Sequence, residues 1–177
     1  MTEEDELAAI RRTLDGEVAA FEVLVTTYQD SLVRMLATLL HDQHRLAEDI
    51  AQEVMVEAYR RLPSFDPVRS RFSTWLFMIA RSRGINAMKR KRPELFAEPP
   101  EREESGPPTD QRETFALLDR ALHELPPKQK RAFTLAVLEE RPHAEVARIE
   151  CTSVGTIKSR VSRARDHLRT ILDQLRP

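Results

Sequence analysis

The segment Pro93–Arg112, PELFAEPPEREESGPPTDQR, constrains this chain more than any other feature. It holds five prolines, a glycine and mostly acidic charge. Proline removes backbone donors and disfavours helix at its own position and the one before it. Too few apolar residues remain to bury a core, so the segment predicts an extended, mobile linker. Composition alone leaves open whether it is a plain spacer or has a further role.

Both flanking segments show helical periodicity. Phe21, Leu24, Val25, Tyr28, Leu32, Met35, Leu36 and Leu39 recur at three- and four-residue steps. Leu46, Ala47, Ile50, Val54, Ala58 and Leu62 do the same and stop before Pro63. Phe72 to Met88 is a further apolar-rich stretch, and Phe115, Leu118, Leu122 and Leu125 give a helix ended by Pro126-Pro127. No sustained alternation suits strands. The prediction is an all-α chain: two small helical domains, residues 1–92 and 113–177, joined by a flexible linker at 93–112.

Several function classes drop out. The four glycines, Gly16, Gly84, Gly106 and Gly155, lie too far apart for a dinucleotide or phosphate loop. Cys151 is the single cysteine, so no intrachain disulfide forms and a reducing, cytoplasmic setting is expected. The acidic opening lacks the basic start and apolar core of a signal peptide. No apolar run approaches the roughly 20 residues of a membrane span, so no membrane insertion is expected. His143 and Cys151 are the one plausible metal pair, and two ligands do not make a zinc site. No nucleophile–base pair or paired carboxylates can be inferred. No catalytic residue, metal or cofactor is expected.

The net charge of −1 gives no support for nucleic-acid binding, but the distribution does. The strongest motif is a helix-turn-helix near the C-terminus. Pro142 opens a short helix over His143–Glu150, Cys151-Thr152-Ser153 makes the turn, and Ser153 is a natural N-cap for a helix from Val154 past Leu168. At about 100° per residue, Val154, Ile157, Val161, Ala164 and Leu168 form one apolar stripe. Thr156, Lys158, Ser159, Ser162 and Arg163 fall opposite, flanked by Arg160, Arg165 and Arg169. Such a face can enter a major groove, although a solvated basic face has the same pattern. A second basic cluster, Arg81, Arg83 and Lys89–Arg92, follows the aromatic run from Phe72. Aromatic groups beside cations suit unstacked bases, but composition favours a core helix with a solvated basic end. On the helix ending at Leu62, Asp49, Gln52, Glu53, Val56 and Arg60 project away from the apolar face. Val56 within that polar stripe suits a docking face, and isolated exposed apolar residues are also ordinary.

Taken together, these residues resemble the extracytoplasmic-function sigma factors, the small promoter-specificity factors of bacterial RNA polymerase. Phe21–Tyr28 is similar to the opening helix of their first domain. Ala47–Val54 with Ala58–Phe65 resembles their polymerase-binding helix, and Phe72–Arg81 their promoter-melting segment. Leu125–Arg131 followed by Val154–Arg165 resembles their −35-reading domain. The order of these four strings, broken by a polar linker, makes the match specific.

The resemblance implies roles. Asp49, Gln52, Glu53 and Val56 would meet the β′ clamp of core RNA polymerase. Phe65, Arg71, Trp75, Ser82, Asn86, Lys89 and Arg90 would serve the −10 region of promoter DNA, with the loop from Phe65 to Arg71 holding a flipped base. Thr156, Lys158, Ser159, Arg160, Ser162 and Arg163 would serve the −35 element, and their domain would seat on the β flap. The linker would thread toward the RNA-exit channel. An anti-sigma factor is a further implied partner. Some positions depart from the family. Ser82 stands where many members have Asn, and Asn86 where many have Asp, which leaves the captured base open. Glu140-Arg-Pro-His-Ala144 replaces a more usual Gly-Leu-Ser-Tyr-Glu, and Glu150 stands where Gly often ends the first helix of the motif. Two other readings compete: a stand-alone helix-turn-helix regulator, which leaves the Asp49/Gln52/Glu53 stripe unexplained, and a helical adaptor with incidental basic faces.

Overall fold

The computed structural model describes residues 1–40, 43–91 and 121–175. The linker expected at 93–112 and the start of the helix expected from Phe115 lie outside these residues. The described residues form helices and turns with no strand among them, so the class is all-α. The chain divides into two compact units, Met1–Leu95 with Arg148–Cys151 and Phe96–Ala147 with Thr152–Pro177.

The first unit opens with a helix that apolar periodicity does not reveal, α1 (Glu3–Leu14). Its start is fixed by a capping box. The Asp5 N–H donates to Thr2 Oγ1 at 3.2 Å, and the Thr2 N–H donates to Asp5 Oδ2 at 3.0 Å. Hydrogen bonds from the Thr2 hydroxyl and then the Thr2 N–H hold the Asp5 carboxyl below its ordinary value. Gly16, at φ 100°, turns the chain in a conformation that L side chains avoid. Then come α2 (Ala19–Leu39), α3 (His44–Arg61), a short 3-10 turn (Leu62–Ser64) and α4 (Phe72–Lys91).

The core of this unit is the apolar face that the sequence predicts. Leu24, Leu32, Met35, Leu36, Val54 and Leu62 are buried, and Phe72, Leu76 and Phe77 join them from α4. Each such Leu or Phe contributes about 1.5–3 kcal/mol by leaving water. α2 packs against α1, α3 and α4. Gly84, which the sequence does not explain, sits where α4 meets α2. A Cβ there would lie 2.9 Å from Leu39 Cδ1 and 3.0 Å from Leu36 Cδ2. Both leucines are buried, so Gly84 is what lets the two helices approach. The buried carboxylate of Glu6 accepts a hydrogen bond from the Tyr28 hydroxyl, which ties α1 to α2 and satisfies the group.

In the second unit residues 121–124 are helical, and Pro126-Pro127 marks the change of helix. The Pro126 carbonyl accepts from the Gln129 and Lys130 N–H groups at 2.8 and 3.0 Å, and Pro127 takes the first position of α5 (Pro127–Phe133), where no N–H is needed. α5 widens into a π-turn over Thr134–Leu138. The helix-turn-helix follows as α6 (His143–Ile149) and α7 (Val154–Leu175). Ala121, Leu125, Phe133, Ala164, Leu168 and Ile171 form one core cluster.

The turns on either side of α6 carry two non-glycine residues in the left-handed region, Glu140 and Cys151, each at φ 50°. The glycine-favouring position after α6 is therefore Cys151, one residue later than the Glu150 singled out in the sequence. L side chains lose about 1–2 kcal/mol in this conformation, so both turns store strain.

Candidate functional site

Three surfaces carry the residues expected to act. The first is on α3. Its buried face, Ala47, Ile50, Val54 and Ala58, leaves Asp49, Gln52, Glu53, Val56 and Arg60 exposed in a continuous stripe. Val56 is 50% exposed and Tyr59, beside it on the same helix, 39%. Tyr59 packs edge-on against Phe21 with ring centroids 5.2 Å apart. The stripe thus combines carboxylates, an amide and a small apolar patch on one rigid helix.

The second surface is the loop after α3 together with α4. Asp66 shapes the loop: its Oδ1 accepts from the Val68 N–H at 2.9 Å, and its carbonyl accepts from the Arg69 N–H at 3.2 Å. This local bonding leaves Val68 93% exposed at the tip. Phe65 and Trp75, both half-buried, pack at a tilt against each other at 5.4 Å, and Phe72 meets Phe65 edge-on and Trp75 at a tilt, at 5.6 Å each. Part of their area is therefore spent on packing the loop to α4. Arg71 reaches back to α1, its Nη2 lying 3.3 Å from Glu3 Oε2.

Further along α4, Ser82, Asn86, Lys89 and Arg90 are exposed. Ser82, Asn86 and Arg90 line a cleft of about 360 Å³ facing Ile50, Glu53 and Glu57 of α3. The structure thus groups Ser82 and Asn86 with α3. The same cleft holds an ion-pair network that the sequence does not reveal. Arg83 Nε donates to Glu57 Oε2 at 2.5 Å, Arg61 Nη1 donates to Glu57 Oε1 at 3.1 Å, and Arg83 Nη1 stands 3.7 Å from Glu53 Oε2. Burial alone would raise the Glu57 carboxyl, but the hydrogen bonds from Arg83 and Arg61 outweigh it and hold the group below its ordinary value.

The third surface is α7. Ser153 caps it as the sequence predicts: the Thr156 N–H donates to Ser153 Oγ at 3.1 Å, and the two hydroxyls lie 2.9 Å apart. Ile157, Val161, Ala164 and Leu168 are buried, as the stripe requires. Val154, assigned to the same stripe, is instead 39% exposed at the first position of the helix, while Ile157 in the same turn is buried. Lys158, Ser159, Ser162 and Arg163 are exposed on the opposite side, while Thr156 and Arg160 are half-buried. This face offers two cations and two hydroxyls on a helix of 22 residues, a width and chemistry that suit a major groove. Among the described residues no group of three or more His, Cys, Asp or Glu side chains is placed to hold a metal ion.

Comparison with known proteins matches both units. Residues 24–94 match Sigma-70 region 2, and residues 108–168 match Sigma-70, region 4. The ECF RNA polymerase sigma factor SigW of Bacillus subtilis is 29% identical over 94% of this chain and 96% of its own length. The ECF RNA polymerase sigma-E factor of Haemophilus influenzae is 31% identical over 95% of each chain. Among solved structures, the sigma factor RpoE of Bartonella quintana, in complex with the anti-sigma factor NepR, is similar with a TM-score of 0.70 and 28% identity, covering 86% of this chain and 96% of that one. The chain belongs to the extracytoplasmic-function group of the sigma-70 family. It directs promoter-specific transcription initiation, with regions 2 and 4 serving the −10 and −35 elements. No described helix is long and apolar enough to cross a membrane.

Proposed function

We propose that the three surfaces divide the work of initiation among named residues. The stripe of Asp49, Gln52, Glu53 and Val56 docks on the clamp of the polymerase β′ subunit. The loop from Phe65 to Arg71, with Trp75, Ser82, Asn86, Lys89 and Arg90, holds unstacked bases and phosphates of the opened −10 strand. Thr156, Lys158, Ser159, Arg160, Ser162 and Arg163 serve the −35 element, and their domain seats on the β flap. Residues 1–92 and 113–177 are the two domains and residues 93–112 their tether.

The reading is carried by α7: one face buried in the core, the opposite face exposed and furnished with Lys158, Ser159, Ser162 and Arg163. Binding supplies the free energy. Pockets for bases and phosphates offset an unstacking cost of a few kcal/mol, while the polymerase itself carries the phosphoryl chemistry. The factor acts in the cytoplasm, where core polymerase is, and an anti-sigma factor is a further partner, as for the Bartonella relative.

The test is transcription by purified core polymerase from a library of promoters randomised at the −35 and −10 elements. The factor should select a defined subset of promoters that core alone ignores. Unselective transcription, or none, contradicts the assignment.

A further inference from the structure

Arg83 belongs to none of the three sets of residues above, yet it lies between two of them. On α4 it shares a helical face with Asn86 and Arg90, three and seven positions on. Its side chain is folded against α3 instead of extended to solvent. Nε donates to Glu57 at 2.5 Å, and Nη1 lies 3.7 Å from Glu53. Both contacts sit in the cleft that Ser82, Asn86 and Arg90 line from the other side.

Glu53 therefore has two claimants. It is an exposed member of the docking stripe, and it also makes the longer of the two carboxylate contacts on Arg83. A carboxylate drawn to a cation of the polymerase cannot hold Arg83 equally well. The second grip, Glu57, is already shared with Arg61. The Arg83 side chain is 44% exposed and that of Glu53 62%, so their pair is of the weak, exchangeable kind. A released guanidinium in this place would stand beside Ser82 and Asn86, where the opened strand runs in the reading above. Its planar fork suits a phosphate.

We propose that Arg83 is a further strand-contacting residue, held by Glu53 and Glu57 in the free chain and released to a backbone phosphate of the opened −10 strand when Glu53 engages the polymerase. The proposal rests on the reading of the α3 stripe as the docking face. It also assigns Glu57 a role in keeping the free factor from binding DNA on its own.

The experiment uses a forked DNA probe made from a promoter recovered from the library and single-stranded across its −10 segment. Its affinity is measured against salt, for the free chain and for the complex with core polymerase. In the complex, Arg83→Gln should lower affinity about tenfold, the loss of one hydrogen-bonded charge contact. The slope of log affinity against log salt should fall by about one unit. Arg83→Lys, which keeps the charge, should retain the slope. In the free chain, Glu57→Gln should raise probe affinity, and adding Arg83→Gln should cancel that gain. If Arg83 only clips α3 to α4, Arg83→Gln will leave the salt slope unchanged, and that result overturns the proposal whether or not core affinity or helix content falls. Glu53→Arg reports separately on docking. Undiminished core affinity in that variant, with an Arg83-dependent slope in the complex, would overturn the docking reading and the release step but keep the strand contact.

Discussion

On α4 and the loop before it, two cations lie against carboxylates of their own unit: Arg83 on Glu53 and Glu57, and Arg71 on Glu3. On α7, Lys158 and Arg163 have no carboxylate partner among the described residues. Both segments are basic, but on the proposed reading Arg83 and Arg71 must exchange partners to meet DNA, whereas Lys158 and Arg163 need not. That difference suits their targets. The −35 element is read as a duplex that is always present, whereas the −10 strand is available only after opening. With Arg83 and Arg71 also free, the chain would hold single strands more tightly without the polymerase. Internal pairing, with a net charge of −1, predicts that the free chain binds promoter DNA poorly.

The backbones differ in a matching way, and variants can probe this from the larger effect to the smaller. The first unit places one of its glycines, Gly84, where two helices touch. Gly84→Val adds carbons where the first already meets Leu36 and Leu39, and should cost about 1–3 kcal/mol by overpacking. Urea unfolding followed by fluorescence of Trp75, the only tryptophan, measures it in that unit. An unchanged midpoint would mean that α2 and α4 are not tightly seated. The turns on either side of α6 do the reverse and put side chains where the backbone favours glycine. Cys151→Gly and Glu140→Gly relieve left-handed strain but add freedom to the unfolded chain, for a net gain of about 0.5–1 kcal/mol each. Thermal unfolding followed by helicity should show a rise for both, and a fall for either would place its turn outside the left-handed region.

The smallest effect concerns pH. The Glu57 carboxyl is lowered in the folded chain, so its pairing stabilises fully above the ordinary carboxylate range and is lost as pH falls through the lowered value. The side chain is 22% exposed and solvent screens the pair, so the contribution is below about 1 kcal/mol. Glu57→Gln should flatten the acid limb of the stability–pH curve slightly. An unchanged limb would show that Arg83 and Arg61 do not hold Glu57 in solution.

Much of this architecture is legible in the sequence because apolar periodicity survives in it. Most of the predicted apolar positions of α2, α3 and α7 are buried, Val154 at the start of α7 being exposed, and Ser153 caps α7 through its own hydroxyl. α1 escapes because its residues are mostly charged or alanine, although the pair Thr2 and Asp5 is a readable capping signal. Gly84 and the Arg83–Glu57 pair escape for another reason. Both depend on the approach of helices distant in the chain, which no local pattern encodes. Phe65 and Trp75 illustrate an intermediate case: their aromatic character is plain, but only the fold shows that they pack on Phe72 as well as facing outward.

The central claim is that docking and −35 reading reside on separate exposed faces that can be broken independently. The direct measurement is a crossed one: core-polymerase affinity and the activity ranking of −35 variants, for Glu53→Arg and Arg163→Ala side by side. Glu53→Arg should weaken core binding while leaving helix content and thermal stability nearly unchanged, since surface changes cost little. Arg163→Ala should bind core normally. If it reads a base edge it should lose about 1–3 kcal/mol of discrimination at one −35 position. Loss of core binding from Arg163→Ala, or an unaltered ranking together with unaltered activity, would contradict the account.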